Sequence, residues 1–231
     1  MKGNTKIVLA IVCLGLGALA CQAVSVPGSN GGTDTPVVPP NTNARVLLSD
    51  DFSSVEWGTG TDTDSSVEYV DEALKMVIFT KNWFVWSPSP GDQDYDNVHM
   101  EVTVLNNSTD STTAFGLICN QQLIDTSFYY FAITPAGEYA IAKAITGVSD
   151  VFLTNNDEMA QSDLIAQDAP SYRVGADCGN GTLTLYVDGQ QIASVTDTTH
   201  TGGGVALFTW SGDNPNSADV SFDDFLMTEL P

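Results

Sequence analysis

LTLYVDGQQIASV, residues 183–195, reads as a β-hairpin before anything else about the chain is known. Two runs of alternating apolar and polar residues flank Asp188-Gly189. Alternation at period two suits a half-buried strand, and Asp-Gly favours the tight type I′ turn, in which both central residues adopt positive φ. Working outward, helical periodicity is nearly absent past Arg45, and short β-branched and aromatic runs recur between clusters of Gly, Asp, Asn and Ser. The pattern predicts strands over 45–52, 67–69, 74–80, 83–87, 98–105 and 114–120. It predicts more over 128–134, 139–143, 172–178, 182–187, 191–196, 204–210 and 219–228. Only 153–167 leaves room for a short helix or a long loop. So many short strands at regular spacing define an all-β sandwich or barrel. Asp-Asp-Phe occurs at both ends, as Asp50-Asp51-Phe52 and Asp223-Asp224-Phe225, and the two terminal strands are expected to pair antiparallel. Phe52 and Phe225 then enter the core, while Asp51 and Asp224 reach the surface or its rim.

Upstream of the domain the chain has another character. Lys2 and Lys6 precede an apolar stretch from Ile7 to Leu19, too short for the roughly 20 residues that span a bilayer. Residues 1–20 read as a signal peptide. Ala18-Leu19-Ala20-Cys21 resembles a bacterial lipobox, although Ala18 stands where Leu is usual. The resemblance implies cleavage before Cys21 and lipidation of its thiol, which would anchor the chain to the cell membrane or cell surface. A plain signal peptide cut after Ala20 is the alternative. Residues 21–44 carry Pro27, Pro36, Pro39 and Pro40 among Gly, Ser, Thr and Asn, and read as a disordered tether. The folded domain occupies 45–231.

The chain carries 7 Lys and Arg against 29 Asp and Glu, a formal net charge of −22 over 231 residues. Such a surface repels phosphate backbones, so nucleic acid is excluded as an expected partner. It suits a soluble exported protein, a salty habitat or a protein that holds divalent cations. Of the four cysteines, Cys13 lies in the leader and Cys21 takes lipid. Cys119 and Cys178 remain and are expected to form a disulfide between neighbouring strands.

The order and spacing of DDFSSVEWG, SSVEYVDEALKM, NWFVWSP, FGLICN, FYYFAITPAGEYAIAK, VGADCGNGTLTLYVDGQQIASVTD and VSFDDFLMTEL resemble the concanavalin A-like jelly rolls. This is the superfamily of laminin-G-like and glucanase domains, here in the form found in bacterial surface lipoproteins. The resemblance implies a two-sheet antiparallel jelly-roll sandwich and, often, carbohydrate recognition; it implies no single activity.

The search for chemistry narrows the function. The two histidines, His99 and His200, lack the context of a nucleophile or a zinc site, and His99 reads as a structural strand residue. Glucanases of this fold carry Glu-x-Asp-x-x-Glu on one strand; the nearest text here, Glu68 to Asp71 and Glu72, has the wrong spacing and heads into a turn. A structural calcium ion is considered at two places. Asp92, Asp94 and Asp96 alternate, but Asn97 and Thr103 stand where an EF-hand has Gly and Glu, so that motif is rejected. Asp51 and Asp224 come together if the terminal strands pair, and their repulsion invites a cation. For a sugar, Trp83, Trp86, Tyr129, Tyr130, Tyr139 and Trp210 are the candidate stacking platforms. Alternation sets Trp83 against Trp86, and Tyr129 against Tyr130, on opposite faces. The reading is a lipid-anchored, non-catalytic recognition module for a polysaccharide or glycan. A glycoside hydrolase and a structural or adhesive envelope protein are the alternatives.

Overall fold

A computed structural model describes residues 44–91, 93–122 and 126–230. The leader, Cys21, the tether through 43 and Asp92 lie outside the described residues. The chain forms β1 (Val46–Asp50), β2 (Gly60–Thr61), β3 (Ser65–Val70), β4 (Ala73–Ile78), β5 (Phe84–Pro88) and β6 (Val98–Asn106). There follow β7 (Ala114–Gln121), β8 (Ser127–Ile133), β9 (Glu138–Ile145), β10 (Val151–Phe152) and β11 (Ala160–Gln161). The last are β12 (Ser171–Gly179), β13 (Thr182–Val187), β14 (Gln190–Thr196), β15 (Gly204–Trp210) and β16 (Ala218–Glu229). The segment that could have been a helix holds one 3-10 turn, Asn155–Asp157, and β11. Strands β2, β10 and β11 have two residues each, too few to show a period, and were not expected.

One sheet runs β14-β13-β12-β6-β16-β4-β3-β2, with β1 also paired to β16; the other runs β10-β9-β8-β7-β15-β5, with β11 on β9. Every strand pairing is antiparallel. Inward residues of the two sheets meet in one core, from Val98, Met100, Val102 and Val104 of β6 to Phe115 and Leu117 of β7 and Phe131 and Ile133 of β8. Each large side chain so buried stabilises the fold by about 1.5–3 kcal/mol. This is the two-sheet jelly roll of the concanavalin A-like type.

The hairpin of residues 183–195 forms as expected, with Asp188 at φ 51° and Gly189 at φ 75°. Strand β14 then carries a bulge, since Tyr186 faces Gln191 while Leu185 faces Ala193. Asp71-Glu72 makes a comparable two-residue turn without glycine, at φ 52° and 59°, between Val70 and Ala73.

The terminal strands pair, from Val46 with Thr228 to Asp50 with Phe225. Strand β16 meets β4 through Phe222 and β1 from Phe225 onward, so two strands share one of its edges. Its other edge pairs with β6 from Val220 to Glu229, with one extra residue between Asp223 and Leu226. Asp224, at φ 49°, sits in this bulge. The insertion resets the alternation, so Phe222 and Phe225, three residues apart, both point inward and are buried. Phe52 is buried as well, with Asp51 and Asp224 outside.

Cys119 and Cys178 form a disulfide, with Cα atoms 6.5 Å apart. It joins β7 to β12 across the core. The expected placement on neighbouring strands is therefore corrected: the two strands belong to opposite sheets and face each other, because both cysteines occupy inward positions of their strands.

Candidate functional site

The outer face of the seven-stranded sheet carries a second apolar cluster, most of it buried, where a sheet face turned to water would carry polar side chains. Strand β5 presents Phe84 and Trp86 and its neighbour β15 presents Phe208 and Trp210. The two Phe-x-Trp triplets run antiparallel in register, so Phe208 faces Trp86 and Trp210 faces Phe84. Phe84 and Phe208 stack with ring centroids 4.9 Å apart and planes at 10°. Phe128 and Tyr130 of β8 close on the same cluster, Phe84 lying 5.9 Å from Phe128 and 6.1 Å from Tyr130. Gly116, Ala132 and Ala140 stand side by side on β7, β8 and β9 and make a low floor between the rings. A Cβ at Gly116 would overlap the Phe131 carbonyl oxygen and meet the Phe208 ring at 3.5 Å. Phe152 and Met159, from the segment after β9, close the slot above this floor, together with Trp210. Phe84 and Trp86 are the partly exposed members of the cluster; Phe128, Tyr130, Phe208 and Trp210 are buried.

Two buried polar atoms of this cluster have no hydrogen-bond partner among the described residues, Trp210 Nε1 and Asp150 Oδ1. Asp150 accepts the Tyr130 hydroxyl through its other oxygen at 3.0 Å. Burial pushes the Asp150 carboxyl up to about 6, against the opposing pull of the Tyr130 hydrogen bond. An unpaired buried donor and an unpaired buried acceptor each cost about 1–3 kcal/mol.

The other sequence candidates fall elsewhere. Trp83 precedes β5 on the side opposite Phe84 and Trp86, and its backbone is pinned to Ser211. Tyr129 is fully buried between the sheets, with Tyr139 packed against the same core, so neither face of Tyr129 is open to a ligand. Thus Trp86, Tyr130 and Trp210 come together and Trp83, Tyr129 and Tyr139 do not join them.

Asp51 and Asp224 line one surface depression at the junction of β1 and the β16 bulge, together with Asp50, Thr103 and Arg173. Asp50 is committed locally, accepting Phe52 N and Trp57 Nε1, each at 2.8 Å. Arg173 reaches in and donates to the Asp224 carbonyl at 2.6 Å. A guanidinium therefore already supplies positive charge here. Among the described residues no group of three or more His, Cys, Asp or Glu side chains converges as a metal site.

On the outer face of the nine-stranded sheet, His99 Nδ1 lies 2.6 Å from Asp177 and Nε2 lies 3.3 Å from Glu101. Burial disfavours the imidazolium, but the hydrogen bonds and charges of the two carboxylates outweigh it and raise His99 to about 9. Tyr186 donates to Asp177 and Arg173 to Glu101, which completes a satisfied network. His99 is a structural residue, as its strand setting implied.

Sequence reading did not single out Phe84, Phe208 or Asp150. The signal available for the first two was the repeated Phe-x-Trp at 84–86 and 208–210. Asp150 lies in a loop with no pattern to mark it.

No family model matches the chain, and no curated protein does. Its fold is similar to solved structures. One is the carbohydrate-binding module CBM66 from Bacillus subtilis, at TM-score 0.59 and 11% identity over 75% of this chain and 96% of that one. Another is a Bacillus subtilis protein of unknown function with a galectin-like fold, at TM-score 0.59 and 11% identity over 80% and 96% of the two chains. A third is the Bacillus licheniformis β-glucanase, at TM-score 0.57 and 12% identity over 82% and 100%. At such identities the likeness establishes the fold.

Proposed function

We propose that this chain is a lipid-anchored, extracytoplasmic protein whose jelly-roll domain binds carbohydrate without hydrolysing it, on the outer face of the seven-stranded sheet. The observation that carries the reading is the crossed Phe-x-Trp pair, with Phe84 and Trp86 partly exposed beside the unpartnered Trp210 Nε1 and Asp150 Oδ1. Sugars are held by aromatic faces against their C–H surfaces and by a few polar groups at their hydroxyls, and this face offers both. The likeness to a carbohydrate-binding module supports the choice of ligand class. The β-glucanase likeness raises hydrolysis as the competing reading, but glycosidic cleavage needs two carboxylates across the scissile bond. The outward positions of β7, β8 and β9 are mostly small or apolar, from Ala114 and Gly116 to Ala142 and Ala144, with Glu138 at the start of β9, and Asp150 is already engaged by the Tyr130 hydroxyl. Anchoring rests on the lipobox-like Ala18-Leu19-Ala20-Cys21, and the proline-rich tether would hold the domain clear of the membrane.

A glycan array probed with the full chain, and with Trp86→Ala, tests the site. Retention of polysaccharides by the wild type and their loss in the variant is expected. Equal retention by both removes the aromatic face from the reading, and release of reducing ends from a retained polysaccharide overturns the non-catalytic part. Cys21→Ser should shift the chain from the membrane fraction to the soluble one; unchanged fractionation ends the anchor. Calcium at Asp51 and Asp224 is tested by melting the chain with calcium and then with excess chelator. A bound ion raises the midpoint by several degrees, and an unchanged midpoint leaves Arg173 as the only counter-charge there.

A further inference from the structure

A cavity of about 390 Å3 opens at one end of the sandwich, away from the aromatic face, and its size falls within the range of small-ligand pockets. Three connections and one strand end build it. Asp96 and Asn97 lead into β6, the Asn180-Gly181 turn joins β12 to β13, and Asp197 to Thr201 follow β14. Asn120, near the end of β7, supplies the remaining wall.

These walls are held in place by the core. The Asp197 carboxylate accepts the hydroxyl of the buried Tyr129, the Thr199 N–H at 2.8 Å and Lys143 Nζ at 3.0 Å. Burial opposes its ionisation, but these donors outweigh it and hold the carboxyl below the usual range. Asn120 donates through Nδ2 to the His200 carbonyl at 3.1 Å, and Asn97 Oδ1 accepts the Asn180 N–H at 2.8 Å. The disulfide fixes two walls to each other, because Cys178 lines the cavity and Cys119 immediately precedes Asn120. Glycines allow the segments to close. A Cβ at Gly179 would come within 2.7 Å of the Asn97 Cα, and one at Gly202 would overlap Asp96 Oδ1.

We infer that this cavity is a second ligand site and that it takes a single uncharged sugar ring, such as one residue at the end of a glycan. Carboxylate, carboxamide and threonine hydroxyl groups line it beside His200, a mixture that matches hydroxyl groups acting as donor and acceptor together. Lys143 compensates Asp197, but Asp96 and the chain's formal charge of −22 disfavour uronic and sialic acids here. The inference shares only the class of ligand with the preceding reading and uses none of its residues.

Saturation-transfer NMR and calorimetry on the full chain test it, with methyl glucoside, galactoside and mannoside and with glucuronic acid as probes. At least one neutral glycoside should bind, with glucuronic acid much weaker. Asp96→Ala combined with Thr201→Val should weaken that binding about tenfold or more, since two hydrogen bonds are lost. Asn180→Gly, at a position of φ 53° that glycine adopts without strain, should weaken it in the same direction and guards against misfolding of the first variant. Trp86→Ala should leave it unchanged. The inference is overturned if no neutral glycoside binds, or if both pocket variants bind as the wild type does. It is also overturned if calcium alone occupies the site, or if Trp86→Ala abolishes binding; that last result would place the sugar on the aromatic face.

Discussion

Asp150 accepts the Tyr130 hydroxyl at 3.0 Å through one carboxylate oxygen and leaves the other buried and unpaired. Its pKa in the folded chain, about 6, lies above its ordinary 3.8. A group raised on folding contributes stability that is complete below the unfolded value and is lost as pH climbs through the folded one. Asp150→Asn should therefore melt a few degrees above the wild type at pH 7.5, a gain of about 1–2 kcal/mol, with the gap closing toward pH 4. A thermal melt series over pH 4–8 checks this. A saturating ligand that hydrogen-bonds Oδ1 should narrow the same gap.

His99 titrates with the same sign in another window. Its folded pKa of about 9 exceeds the ordinary 6.5, so the Asp177 and Glu101 contacts stabilise fully below about 6.5 and are lost as pH rises through 9. His99→Gln should lower the midpoint at pH 6 and flatten the decline between pH 6.5 and 9. Parallel wild-type and variant curves would mean that the imidazole is uncharged in the folded chain.

The Cys119–Cys178 bond spans a sequence separation of 59 residues. On the chain-entropy account, replacing both cysteines by Ala costs about 4 kcal/mol. For a domain of this length that is a drop of roughly 8–15 °C in the melting midpoint. Reduction of the wild type in mild denaturant should reproduce it.

Deleting Asp224 removes the extra residue of the β16 bulge and leaves Phe222 and Phe225 two positions apart, which plain alternation still sets on one face. The ladder with β6 would then close without a bulge and keep Phe225 and Met227 inward, so a cooperative melt is expected, lowered mainly by the lost Arg173 contact to the Asp224 carbonyl. Asp224→Gly keeps the count and suits the φ of 49°, so its midpoint should stay within about 1 kcal/mol of the wild type.

Trp86 and Phe208 face each other in register but should answer differently to truncation. Phe208 is buried under the cluster, and Phe208→Ala should cost about 3–5 kcal/mol. Trp86 is partly exposed, so Trp86→Ala should cost much less in chemical denaturation while abolishing polysaccharide retention.

The sequence determined the strands and the faces they present, because alternation at period two is a local property of the chain. The Asp188-Gly189 turn was legible for the same reason, since the positive φ of its two residues is a preference of those residues themselves. Tyr129 and Tyr130 could be set on opposite faces from adjacency alone, but nothing local says which face is covered. Only the packing of two sheets decided that Tyr129 is core, and that Trp86, Tyr130 and Trp210 share an outer cluster drawn from three strands. The same holds for Arg173, which reaches the Asp224 carbonyl from 51 positions earlier in the chain. The end cavity is further from view, because its walls come from four separated segments that are polar and aperiodic. Their approach is set by glycines at contact points and by a disulfide across the core, and such distances exist only once the tertiary structure has formed.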